Sequence, residues 1–219
     1  MGGALNIAVM LVVYFTQEIY ILFLKDNSSM QKIIIYSALI TQISAFKSID
    51  KLFLLTHPSS KTVEHESNLV NEAKKAGVGH IVKQSLMGAD LKADVELMRL
   101  HRQAEQIVEE SGIPFMFLRP NEFMQNFVNF HSHSIKNNNT FYLPAQDAKV
   151  SIVDVRDIAR VAVKALTTDG KGIYDNKAYL ITGPEAISYY QAAKILTTVT
   201  GKKIDYINIS DVLLGPIAF

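Results

Sequence analysis

His80–Asn126 reads HIVKQSLMGADLKADVELMRLHRQAEQIVEESGIPFMFLRPNEFMQN. It parses as a buried strand (Ile81–Gln84), a polar loop, an amphipathic helix (Ala93–Ser111), a second buried strand (Phe115–Leu118) and a short helix opening at Asn121 and running to Ser132. Leu97, Leu100, Ala104, Ile107 and Val108 recur at helical spacing, Gly112 stops the long helix and Pro114 follows. Ligands of open α/β sheets bind outside the carboxyl ends of the strands. Ser85 and Pro120–Asn121 stand at two such ends, so any active site is expected in these loops and the helix between them.

Upstream, Lys51–Leu55 (KLFLL) is a buried strand closed by Thr56-His57-Pro58. Thr62–Ala76 is a helix with Val63, Leu69, Val70, Ala73 and Ala76 turned inward, and Gly77 sits where a C-terminal cap glycine belongs. From Lys51 to Ser132 strands alternate with helices, which predicts a parallel sheet with right-handed crossovers. The strands ending at Leu55, Ser85 and Leu118 are then neighbours. Downstream, Asn137–Asn139 marks a loop, and Phe141–Leu143 and Val150–Val153 are short strands. Asp154 can cap a helix over Val155–Leu166 whose inner positions are Val155, Ile158, Ala162 and Ala165. Ala178–Thr182 is a strand, Ser188 and Gln191 form a capping box for the helix Tyr189–Thr200, Gly201 ends it, and Ile204–Ile209 is a last strand. Before Lys51, Ile19–Leu24 and Lys32–Tyr36 read as strands and Ala38–Lys47 as a short helix.

A chain of 219 residues can bury one sizeable core. A net charge of +1, with no basic stripe, gives no field for direct nucleic-acid binding. The absence of cysteine removes disulfides, thiolate metal sites and a cysteine nucleophile, and fits a cytoplasmic location. Leu5–Leu24 has the length of a bilayer span. Thr16-Gln17-Glu18 interrupts it, a central acid costs about 2.5–3.5 kcal/mol on insertion scales, and no basic residue precedes it. A buried element is therefore expected there rather than a membrane anchor.

Four stretches carry a resemblance: Lys51–Ser85 (KLFLLTHPSSKTVEHESNLVNEAKKAGVGHIVKQS), HRQAEQIVEESGIPFMFLRPNEFMQNF, VSIVDVRDIARVAVKAL and YLITGPEAISYYQAAKILTTVTGKKI. From about Ser44 to Ser210 the chain resembles the NmrA-like family of atypical short-chain dehydrogenases/reductases, which includes NAD(P)H-dependent quinone reductases and cofactor-sensing regulators. LRPNEFMQN and VDVRDIA are specific as blocks. The resemblance implies a Rossmann-like α/β fold: a parallel sheet with flanking helices and a small C-terminal α/β substrate-side region. It also implies an opening glycine-rich loop, where glycines let the backbone approach a pyrophosphate. Here the chain departs. Gly77-Val78-Gly79 follows a helix and precedes a strand, the wrong context, and Gly2–Ala8 (GGALNIA) only faintly resembles the family loop. The N-terminal part is thus expected to be incomplete or divergent, and dinucleotide binding to be weakened. The expected division is an atypical apolar segment at 1–46, a Rossmann-like cofactor-side region at 47–135 and a substrate-side region at 136–219.

In the wider superfamily the helix after the strand corresponding to Ile81–Gln84 carries Tyr-x3-Lys, often with Glu four residues on. Anchoring on Glu105 puts Leu97 at the tyrosine position and His101 at the lysine position, all on one helix face. The usual acid is missing. His101 is the catalytic candidate, because an imidazole that titrates near neutral pH could protonate a reduced acceptor; a plain His–Glu pair on a half-exposed face would read the same. The resemblance places Leu55, Thr56 and His57 beside adenine and ribose, Ser85 beside the nicotinamide ribose, and Pro120–Asn121 along the nicotinamide. Ser85 also reads as an ordinary turn serine, and Asn121 as a helix N-cap. Phe123 and Met124 are candidates for a flat apolar substrate pocket, whereas Phe127 reads as core. No histidine has neighbours with ligand spacing, so no metal site is expected.

The reading that follows is an NAD(P)H-dependent oxidoreductase, NADP being favoured by the resemblance. It would pass hydride to a quinone-like or other flat carbonyl acceptor, with activity impaired by the altered loop. The rival is a non-catalytic NAD(P)-sensing or interaction regulator, working with a protein partner or as a homodimer.

Overall fold

The computed structural model describes 7–11, 25–26, 29–30, 49–56, 58–168 and 174–209, the first three of these as backbone alone. The expected strands Ile19–Leu24 and Lys32–Tyr36, the helix Ala38–Lys47, the Gly2–Ala8 loop apart from Ile7–Ala8, and His57 lie outside the described residues. Of the apolar N-terminal run, Ile7–Leu11 is strand β1. Lys25–Asp26 (β2) and Ser29–Met30 (β3) form a small antiparallel pair.

The chain forms an α/β fold around a five-stranded sheet. Its members are β1, β4 (Lys51–Leu55), β5 (His80–Gln84), β6 (Phe115–Pro120) and β9 (Lys177–Ile181), hydrogen-bonded in that order. β1, β4, β5 and β6 run parallel, with Val9 opposite Phe53, Phe53 opposite Val82 and Val82 opposite Met116. The expected neighbours are therefore neighbours. Helices α1 (Thr62–Lys75) and α2 (Glu96–Ser111) make the two crossovers and pack on each other.

The chain divides into two compact units. One is Met1–Arg119 with Ala159–Leu180; the other is Pro120–Ile158 with Ile181–Phe219. In the first, side chains along each strand alternate between faces. The pairing register puts Leu52, Leu54 and Thr56, then Ile81, Lys83 and Ser85, then Phe115, Phe117 and Arg119 on one face. The early members of each row are apolar and close a core with Val70, Ala73, Val78, Val108 and Ile113. The last members are polar, so the face changes character along the strands toward their carboxyl ends.

Both crossover helices are rotated relative to the apolar stripes read from sequence. On α1 the buried row is Thr62, Glu66, Val70 and Ala73, with Val63 and Leu69 only half-buried. On α2 it is His101, Ala104, Glu105, Val108 and Ser111, with Leu97 and Leu100 half-buried. Each helix thus turns acids or an imidazole toward the polar ends of the strands. α2 begins at Glu96 rather than Ala93, and Gly112 closes it in the left-handed region at φ 76°.

The second unit contains α3 (Asn126–Asn129), α4 (Ser132–Asn138), β7 (Thr140–Leu143), β8 (Lys149–Val150), β10 (Ile187–Ser188), α6 (Tyr189–Thr200) and β11 (Asp205–Asn208), together with the start of α5 (Val155–Thr167). β11 pairs parallel with β7, and β10 antiparallel with β8. Its core joins Phe141, Ile152, Tyr189, Ala193, Ile204 and Tyr206, with Phe127 edge-on to Phe141, as a core reading of Phe127 requires. Gly183 lies so close to the chain that a Cβ there would meet the Ile152 carbonyl oxygen at 2.1 Å, so only glycine fits. The Ser188–Gln191 capping box is complete in both directions and α6 ends at Gly201.

Three local expectations are corrected. The helix expected from Asn121 starts only at Asn126, because the preceding backbone is paired elsewhere. The Asn121 N–H donates to the Ile181 carbonyl, the Met124 N–H to that of Val153, and the Val153 N–H to that of Glu122. The asparagine run at 137–139 ends a helix instead of forming a loop, with Asn139 in the left-handed region at φ 53°. Val155, expected inward, is exposed.

Candidate functional site

In the first unit the polar ends of the strands meet polar groups from the helices. Thr56 directly follows β4 and is buried. Its hydroxyl donates to Glu66 Oε1 of α1 at 2.5 Å. The Lys83 ammonium on β5 donates to the same oxygen at 2.8 Å, lies 2.7 Å from Oε2, and reaches the Gln84 carbonyl at 3.3 Å. Lys83 and Glu66 are both fully buried. On β6, Arg119 donates through Nε and Nη2 to the two oxygens of Glu105, at 2.8 and 2.6 Å, and Arg102 adds a third contact at 3.2 Å. These hydrogen bonds hold the Arg119 guanidinium above its ordinary pKa. Each charge in this layer has a counter-charge, as burial demands.

Among the described residues Ser85 Oγ and His101 Nδ1 of this layer are buried without a hydrogen-bond partner, and Glu66 Oε2 has only the ion-pair contact with Lys83. Ser85 is anchored by its backbone, its N–H donating to the Leu118 carbonyl at 2.7 Å. It lies on the same strand face as Lys83, two residues on. His101 is 8% exposed. Burial, reinforced by the Lys83 charge, pushes its imidazole down to about 3. The expectation that this imidazole titrates near neutrality does not hold, nor does the picture of a half-exposed His–Glu pair. His101 is a neutral ring at physiological pH, able to give or accept a hydrogen bond but not to store a proton. Leu55 is half-buried at the strand end. Thr56, Ser85 and His101 are thus brought to one polar layer, and His57 lies outside the described residues.

The other four candidates belong to the second unit. Pro120 is buried, Asn121 and Phe123 are half-buried, and the Met124 side chain is 44% exposed. Asn121 uses its N–H on the Ile181 carbonyl, and its side-chain oxygen accepts from the Glu122 N–H at 2.8 Å, so it is no helix N-cap. Phe123 bridges in parallel to Val153. Beyond it, Gln125 clamps the start of α5: its Nε2 donates to Asp154 Oδ1 and its Oε1 accepts from the Val155 N–H, both at 3.1 Å. Asp154 also accepts from the backbone and guanidinium of Arg156, which holds its carboxyl well below the usual range. Glu122 takes a very short hydrogen bond from the Tyr189 hydroxyl, and burial with that bond pushes the phenol upward.

Lys83, Glu66 and Arg119 were not singled out from the sequence. A lysine inside the apolar strand HIVKQ was the available signal, since such a residue needs a buried acid within reach. Among the described residues no cluster could hold a metal ion, and no helix is long and apolar enough to cross a membrane.

The chain is 36% identical over 167 residues to an NAD(P)H azoreductase of Xenophilus azovorans, covering 76% of this chain and 57% of that protein. It is 28% identical over 169 residues to quinone oxidoreductase 2 of Escherichia coli, covering 77% and 57%. The chain therefore spans little more than half the length of the curated relatives it matches. Among solved structures, an NADPH-dependent quinone oxidoreductase of E. coli complexed with NADPH superposes with a TM-score of 0.71 at 26% identity, over 82% of this chain and 64% of that one. A Citrobacter triphenylmethane reductase complexed with NADP(H) shares the fold, with a TM-score of 0.69 at 24% identity over 81% and 64%. The family described as NmrA-like matches residues 37–217, most of the chain, and the chain belongs to that NmrA-like family.

Proposed function

We propose that this chain carries the reductase core of an NAD(P)H-dependent oxidoreductase acting on a flat quinone-like, carbonyl or azo acceptor. The observation that carries the reading is the pair of orphaned buried atoms, Ser85 Oγ and His101 Nδ1, in the polar layer at the strand ends. Buried polar atoms without partners are rare and call for a ligand or an ordered water. In a parallel α/β sheet this is where a dinucleotide lies. The likeness to relatives named as NAD(P)H azoreductase and quinone oxidoreductase supports the same choice.

In this reading Leu55, Thr56 and Ser85 of the first unit hold the dinucleotide. Bound NAD(P)H supplies the hydride. His101, being neutral, orients by hydrogen bonding and leaves the acceptor to take its proton from water. A quinone tolerates that, because its reduced oxygen needs little acid help. The unpartnered Ser85 Oγ and His101 Nδ1 support such a cofactor, which offers hydroxyl and amide groups for them to bond.

The test is NADPH oxidation by the purified chain with a benzoquinone, followed by absorbance loss, beside an NADPH titration followed by cofactor fluorescence. Turnover is the expected result, and its absence together with absent binding would sink the reading. Saturable binding without turnover would instead favour a dinucleotide-sensing regulator. That second reading draws on the sequence at Gly2–Ala8, which departs from the family loop.

A further inference from the structure

The Lys83–Glu66 pair has no role in the chemistry above, yet its burial is costly. Both side chains are fully buried, and desolvating two charges offsets most or all of their attraction. Apolar residues of similar size often do as well for stability, and the neighbouring Leu54, Ile81 and Phe117 show that this layer packs apolar side chains readily. The β4–β5 ladder already joins the two strands. What the pair adds is directional. Glu66 Oε1 receives both the Lys83 ammonium and the Thr56 hydroxyl. The Thr56 proton is thereby committed inward, and its oxygen lone pairs are left for another donor. Thr56 directly follows β4, where the adenine and ribose side of a dinucleotide would lie, and Ser85 follows Lys83 by two residues on the same face.

We propose that Lys83 and Glu66 are positioning residues for the dinucleotide, acting through Thr56: Lys83 fixes the Glu66 carboxylate, which fixes the Thr56 hydroxyl as an acceptor for a ribose hydroxyl or amide N–H of the cofactor. The proposal rests on the reductase reading above. It implies that the pair is dispensable for folding once both charges are removed together, but not for cofactor binding. Removing Lys83 alone would strand a buried carboxylate and confound the result.

The experiment is a double-mutant cycle on NADPH affinity, read by fluorescence titration. One arm is the Glu66→Leu/Lys83→Met variant, the other Thr56→Val, and the third combines them. Thermal unfolding confirms that each is folded. The first variant is expected to melt within a few degrees of the parent and to bind NADPH about tenfold more weakly, the order of one lost hydrogen bond. Thr56→Val should weaken binding by a similar factor, and the combination no further, because both arms remove the same contact. Parent-like affinity in the charge-free variant, or fully multiplicative losses in the combination, would overturn the proposal while leaving the reductase reading intact. A parent chain that neither binds nor oxidises NADPH overturns the reductase reading, and this inference with it.

Discussion

His101 shows how burial redefines a residue. An imidazole beside a glutamate four residues away looks like an acid–base pair in sequence. In the fold Glu105 is already taken by Arg119 and Arg102, and the charge acting on His101 is Lys83. Burial and that ammonium favour the neutral ring, pushing its pKa to about 3. The folded chain therefore refuses a proton that the unfolded chain accepts between about pH 6.5 and 3. Stability from this group is whole above pH 6.5 and falls by about 1.4 kcal/mol per unit below it. Between pH 7 and pH 5 the loss from His101 is about 2 kcal/mol. Urea unfolding at the two values should show this loss in the parent and a smaller one in His101→Gln; equal losses would contradict the burial argument. His80 and His131 are also lowered by burial, so they add to the acid sensitivity in both chains. Turnover should likewise show no titration near pH 6.5 assignable to His101.

At the scale of elements, the helices depend on partners their own sequences do not contain. α6 is self-sufficient, with its capping box and terminal glycine, and is therefore readable from its own residues. α5 is not: its first turn is held by Gln125, 29 residues before Asp154. The same two segments pair through Phe123 and Val153. The family-specific blocks LRPNEFMQN and VDVRDIA are thus each other's binding partners. Gln125→Ala should cost about 1 kcal/mol, the ordinary value of a lost cap, and Asp154→Ala should destabilise the same turn in the same direction. Equilibrium denaturation measures both. A double variant less destabilised than the sum would show that the two act as one clamp.

For the molecule as a whole, the organising feature is the apolar-to-polar change along one face of the sheet in the first unit. Glu105 is fully buried there, and Arg119 supplies its bidentate partner from β6. Arg119→Met should cost about 3 kcal/mol, because it leaves a buried acid with Arg102 alone. Arg119→Lys should recover only part of this, since an ammonium cannot match both carboxylate oxygens. Urea midpoints of the two variants decide, and a methionine variant as stable as the parent would show that the pair is neutral. Strand–helix alternation from Lys51, the neighbouring order of β4, β5 and β6, and the stops at Gly77, Gly112 and Gly201 were all legible in the sequence. They are set by periodicity, propensity and capping, which are properties of contiguous residues. Thr56, Ser85 and His101 were nominable through the family resemblance, which aligns them with a strand end or a helix position. What only the tertiary structure decided was the rotation of α1 and α2, which turns Glu66, His101 and Glu105 inward. It likewise decided the pairing of Lys83 with an acid 17 residues away and the capture of Glu122–Met124 by Val153. Those outcomes follow from which distant elements cross, where buried charges must find each other to avoid bare desolvation, and no local pattern encodes that meeting.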